Sequence, residues 1–189
     1  MLLNLIFFIL FFCLLLIVFL PNSCIFYIRQ IGLICSSLVF LLSLLLIDSF
    51  CLNLYYFQNI ITYQIGFDFL NLYFTVGLDG VSLFFFLLSS FLIFLCVLFV
   101  WDEHLIKEYI LSLLLLDLLL LLVFSTLDIL FFYIFFEAIL IPMYIMIGVW
   151  GSRERKIRAV YLFFFYFNGF TLYVISFIIH IRNIWYIKL

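Results

Sequence analysis

Long apolar runs separated by brief polar punctuation divide the chain. Leu2 to Leu20 contains no charged side chain and stops at Pro21-Asn22. A second run extends from Ile31 to about Ile47, with room to continue toward Tyr56; PNSCIFYIRQ before it reads as a short turn carrying Arg29. Val81 to Trp101, Tyr109 to Phe124 and Leu127 to Trp150 are the next three runs, and a sixth extends from about Ile157 to Ile181. Each is long enough, or nearly so, to cross an apolar layer about 30 Å thick as a helix rising about 1.5 Å per residue. The segment 48–80 differs. It holds Asn53, Gln58, Asn59, Gln64, Asp68 and Asn71, too many polar groups for a span. Tyr63, Ile65, Phe67 and Phe69 alternate there with other residues, the two-residue period of a strand or hairpin. The pattern predicts an all-α polytopic membrane protein of about six transmembrane helices: spans one and two in 1–47, a polar interfacial loop or hairpin in 48–80, spans three to six in 81–181, and a tail in 182–189.

Composition sharpens this picture. The chain is 71% hydrophobic and 10% charged, whereas a soluble domain is nearer half apolar and about a quarter charged. Backbone groups in lipid must be satisfied within the fold, which favours a helical bundle. A net charge of -2 and the lack of an extended basic patch exclude a nucleic-acid-binding surface. Arg29 lies between spans one and two, Lys107 between three and four, and Arg153, Arg155, Lys156 and Arg158 between five and six. The other two connections contain no Lys or Arg. The odd-numbered loops are therefore expected on the matrix or cytoplasmic side and both termini opposite; Arg182 and Lys188 in the tail run against this pattern. No cleavable signal peptide is expected, because the first apolar run is too long and has no basic flank. Cys13, Cys24, Cys35, Cys51 and Cys96 form no CxxC or Cys/His motif and are expected as small lipid- or helix-facing residues.

The candidate chemistry is concentrated in Leu127–Arg158. Glu137 lies about ten residues, or roughly 15 Å, into the fifth run, near mid-membrane, where an ionised side chain costs at least ~3 kcal/mol on insertion scales. A carboxylate kept at that depth suits proton exchange: burial disfavours its charged form, and a nearby cation favours it. The alternative is a structural carboxyl, neutral and hydrogen-bonded to another helix. Pro142 cannot donate to the carbonyl of Ala138, so the helix is expected to bend or loosen beside Glu137. Asp117, also mid-span, either joins a water-filled polar path or makes an interhelical contact. Asn168 with Gly169 offers a possible polar path in span six, with close packing as the alternative. Asp79 and Asp128 fit helix N-terminal positions. Arg153, Arg155, Lys156 and Arg158 anchor topology or meet a partner. His104 and His180 have no metal-ligand spacing, and neither a phosphate loop nor an iron–sulfur cysteine set is present. None of Lys107, Lys156 and Lys188 is mid-span, so a carboxylate–lysine pair cannot be built from this chain alone.

LDILFFYIFFEAILIPMYIMIGVWGSRERKIRAVYLFFFY (127–166) resembles the chain 4 family of the proton-pumping NADH:ubiquinone oxidoreductase, respiratory complex I, as do VGLDGVSLFF (76–85) and KEYI (107–110). The likeness fades before Val76. It implies the N-terminal portion of an antiporter-like fold in a mitochondrial inner membrane. Glu137 would stand in the proton path, opposite a lysine on a later span. It also implies partners: the related chains 2 and 5 and membrane lipid. Family members have about fourteen spans, so either this sequence is a fragment or, as is expected, a second polypeptide carries the remaining spans. NAD, FMN, iron–sulfur clusters and ubiquinone would belong to other subunits, with no cofactor in this chain. A stand-alone cation/proton antiporter component and a scaffold that has lost transport are the rival readings.

Overall fold

The computed structural model describes residues 2–51, 56–67, 70–100 and 105–151, with isolated positions at 156, 161, 163, 169 and 176; side chains of 65–73 are not described. The element order is α1 (Leu2–Phe19), α2 (Ile25–Asp48), β1 (Gln58–Phe67), β2 (Leu70–Leu78), α3 (Gly80–Phe99), α4 (Ile106–Ser125) and α5 (Ile129–Trp150). All five helices are long and apolar enough to cross a membrane. The sixth predicted span, the tail, and Arg153, Arg155, Arg158, Asn168, His104 and His180 lie outside the described residues. The chain divides into two compact units, Met1–Pro142 and Met143–Leu189.

In the first unit α1 to α4 pack as an antiparallel bundle. Each contributes one stripe at helical spacing: Leu3, Ile6, Leu10, Leu14 and Ile17 from α1, for example, and Ile110, Leu113, Leu114, Asp117 and Leu121 from α4. Opposite faces stay exposed, as Phe8, Phe11 and Phe12 of α1 do, which in lipid leaves them facing acyl chains. Close approach occurs at Gly32 of α2. A Cβ placed there would lie 2.7 Å from Cγ2 of Ile110 and 3.7 Å from Cγ1 of Val97, so α2, α3 and α4 converge at this level. Small residues serve membrane helix contacts in this way, and the chain has only two alanines to offer instead.

One end of the bundle carries the cations Arg29 and Lys107. Arg29 donates from Nε (3.2 Å) and a terminal guanidinium nitrogen (2.9 Å) to the carbonyl of Val100, just past the end of α3. Lys107 donates to the carbonyls of Val18 (3.1 Å) and Leu20 (2.6 Å) at the end of α1. Both cations thus satisfy carbonyls that a helix terminus leaves open and complement its negative pole. The expected turn around Arg29 is in fact helical. α2 starts at Ile25, because nothing after Pro21-Asn22-Ser23 breaks a helix, and Arg29 sits in its early turns. α4 likewise starts at Ile106 rather than Tyr109, so Lys107 is helical too.

The opposite end carries the hairpin. β1 and β2 pair antiparallel, with a register shift between Gln58 and Ile61 where Asn59 takes a left-handed φ of 55°. Tyr63 donates to Asn4 of α1 at 2.7 Å, and Phe74 meets Phe131 and Phe135 of α5 at ring-centroid distances of 4.8 and 5.7 Å. Asp79 begins α3 with a reciprocal capping arrangement: its side chain accepts from the backbone of the first turn, and the Asp79 N–H donates to Ser82 Oγ at 2.7 Å. Asp128 behaves differently from the expected cap. It precedes α5 instead of lying a turn inside it, and its Oδ2 accepts from Thr75 N and Thr75 Oγ1, both at 2.7 Å. The Leu127 N–H adds a bond to the Thr75 carbonyl at 3.0 Å. The carboxylate therefore ties the hairpin to the α4–α5 turn.

In the second unit Lys156 donates to the carbonyl of Val149 at 2.9 Å, near the end of α5. Tyr144 and Phe163 make a ring contact at 5.8 Å.

Candidate functional site

Asp117 and Glu137 are the acidic side chains that stand mid-helix in the first unit, and their settings differ. Asp117, twelfth of the 20 residues of α4, is 0% exposed. It lies on the inward stripe that Leu113, Leu114 and Leu121 define, so the bundle encloses it on every side. Neither carboxyl oxygen has a hydrogen-bond partner among the described residues. The other buried polar side chains of the bundle are Ser36 and Ser43 of α2, Ser89 and Ser90 of α3 and Ser112 and Ser125 of α4, with a 3.0 Å contact between Ser43 Oγ and Ser90 Oγ. Cys13 of α1 and Cys35 of α2 line one apolar groove between those helices.

Glu137 stands ninth of 22 residues in α5, a helix whose only buried residues are Ile139 and Pro142. Its side chain is half-buried. Oε1 is shielded from solvent yet has no hydrogen-bond partner among the described residues, while Phe132, Ile134, Phe136 and Ile141 around the same helix are exposed. α5 continues as a helix through Pro142. The imino ring still removes the N–H that would reach Ala138 O, and the boundary between the two units falls at this proline. The carboxyl is thus held at mid-helix on a surface that remains largely uncovered in the first unit.

The structure does not combine the two acids into one site, since Asp117 points into the four-helix core and Glu137 belongs to a helix outside it. Of the basic residues, Arg29, Lys107 and Lys156 are engaged with helix-end carbonyls. The burial of the bundle's serines was not legible in the sequence. Single serines in apolar helices carry no local motif, although Ser36, Ser43, Ser89 and Ser90 do recur at helical spacing on inward stripes. Among the described residues there is no group of three His, Cys, Asp or Glu able to hold a metal ion.

Residues 126–187 match a family model described as NADH:quinone oxidoreductase/Mrp antiporter, transmembrane. Over 140 residues, 73% of this chain, the sequence is 50% identical to NADH-ubiquinone oxidoreductase chain 4 of Chondrus crispus, covering 28% of that protein. Chain 4 of Arabidopsis thaliana is 47% identical over 152 residues, 79% of this chain and 30% of its own length. NADH-quinone oxidoreductase subunit M of Rickettsia typhi is 35% identical over 155 residues, 80% of this chain and 31% of its own. The chain thus spans about 30% of the length of these curated relatives.

Proposed function

We propose that this chain, an apolar multi-helix membrane protein similar to chain 4 of NADH-ubiquinone oxidoreductase, is a membrane-arm component of the proton-translocating complex in a mitochondrial inner membrane. Its task is to move protons, while NAD, FMN, iron–sulfur clusters and ubiquinone are handled by other subunits. Similarity at 35–50% identity over about three quarters of the chain carries the proposal. Glu137 in the middle of α5, with a shielded oxygen that no described residue satisfies, supplies the chemistry.

In this mechanism Glu137 exchanges a proton under the control of a cation. A basic group brought close favours the ionised carboxylate and expels the proton; its withdrawal leaves the charge in an apolar setting and draws a proton back. The described residues do not provide that cation, because Arg29, Lys107 and Lys156 sit at helix ends. It comes from the rest of the antiporter-like fold, beyond the described residues, with the related chains 2 and 5 as neighbours in the membrane. The end bearing Arg29 and Lys107 faces the matrix and the hairpin end the intermembrane space.

The matching family model also covers Mrp antiporters, which favours a stand-alone cation/proton antiporter component as a second reading. Mild solubilisation followed by affinity purification of this chain separates the two. Flavin- and iron–sulfur-containing subunits, together with NADH-dependent quinone reduction, are expected in the isolated assembly. An isolate lacking both and exchanging cations for protons in vesicles would support the antiporter instead.

A further inference from the structure

We propose that Asp117, Ser43 and Ser90 line an internal water-binding site within the α1–α4 bundle, separate from the carboxylate of α5. Helix register brings these residues together. Gly32, Val97 and Ile110 meet at one level of the bundle. α3 and α4 run antiparallel, so seven residues back from Val97 and seven forward from Ile110 lead the same way, about 10.5 Å along each axis, and return nearly to the same face. Those steps end at Ser90 and Asp117. Both residues lie on the buried stripes of their helices, with exposures of 1% and 0%. α2 runs parallel to α4, and its Ser43, about a turn further on, is bonded to Ser90. Asp117 and Ser90 therefore share one depth in the core, and Ser43 reaches Ser90 from about a turn further on.

A count of hydrogens identifies the occupant. Ser43 Oγ donates to Phe40 O at 2.6 Å and Ser90 Oγ to Leu87 O at 2.9 Å, besides their mutual contact at 3.0 Å. The neighbouring hydroxyls are similarly occupied: Ser36 donates to Leu33 O, Ser89 to Phe86 O and Ser112 to Tyr109 O. Each serine hydrogen thus has a carbonyl of its own helix within reach, whereas the serine oxygens keep lone pairs to offer. Both oxygens of Asp117 lack a donor among the described residues. The serines have no hydrogen to spare for Asp117. Leaving a buried acceptor unpaired costs about 1–3 kcal/mol, and a small polar space with two or more partners is where proteins hold ordered water. A water molecule supplies two donors and is neutral, so it satisfies Asp117 without adding a charge to the bundle.

Water occupancy is independent of whether the assembly pumps protons, so the test is structural. A cryo-EM map of the native membrane assembly at about 2 Å resolution is expected to show at least one water peak within hydrogen-bond distance of an Asp117 oxygen and of Ser43 or Ser90. The peak should persist in Asp117→Asn, which keeps an acceptor, and disappear in Asp117→Leu. Should the Leu variant fail to assemble, the wild-type and Asn maps still decide the matter. A dry carboxyl bonded directly to a protein donor would overturn the proposal. A peak surrounded by oxygens at metal-coordination distances would do so as well, since it would mark a cation.

Discussion

Asp128 shows how much one side chain can contribute when its partner is remote in sequence. An acid at a helix start was legible, but not its use: Thr75 lies 53 residues earlier, and only the folded hairpin brings the two bonds of 2.7 Å to Oδ2. Asp128→Ala should weaken this attachment by about 2 kcal/mol, the usual worth of hydrogen bonds to a charged group. Hydrogen exchange of the amides in Thr75–Leu78 would then speed up roughly thirtyfold; unchanged exchange would show that Leu127 and the strand pairing suffice alone. Lys107 makes a parallel case at the other end. Lys107→Met should lower the thermal midpoint of the assembled protein because the Val18 and Leu20 carbonyls lose their donor, while Lys107→Arg should retain most of the stability. Equal losses in both variants would argue against the capping role. Glu137 and Asp117 were visible in the sequence as charges in apolar runs, but the difference between them was not. Whether a helix face looks into a core or away from it depends on neighbours far along the chain.

At the scale of elements, run length and punctuation located most helices to within a few residues. The errors arose where charge was taken for a loop. Arg29 and Lys107 were assigned to turns, yet each lies in the first turns of a helix, with its long side chain reaching the end of a neighbour. Alternation in 63–69 pointed to a strand, although pairing register and the irregularity at Asn59 depend on the partner strand. The convergence at Gly32 is equally non-local. Gly32→Ala should destabilise the bundle by about 1–3 kcal/mol, as overpacking does, because its new methyl would meet Ile110 Cγ2 at 2.7 Å. Ile110→Leu has no methyl at that branch. Thermal denaturation of the double variant should therefore recover much of the loss, and strictly additive effects would contradict the contact.

At the scale of the whole molecule, the basic residues of the polar connections sort to one end of the bundle, whereas acids such as Glu108 occur there as well. Arg29 and Lys107 mark one end of the α1–α4 bundle, while Asp48, Asp79 and Asp128 lie toward the hairpin end. The preference of lysine and arginine for one side of a membrane makes this segregation readable from their positions along the chain alone. The helix-end carbonyls show that the same cations also serve the fold. In a cysteine-replaced background, single cysteines at Asn22 and Thr62 should label from opposite faces of the membrane, Asn22 from the matrix side. Labelling of both from one face would invalidate the arrangement. The cation that the proposed mechanism sets opposite Glu137 is to be sought in the complete assembly. The central claim is that Glu137 exchanges protons, and the ratio of protons pumped to electrons transferred in sealed vesicles measures it directly. Glu137→Gln should assemble and transfer electrons with a markedly reduced ratio, and Glu137→Asp should keep part of it; an undiminished ratio with glutamine at this position would contradict the account.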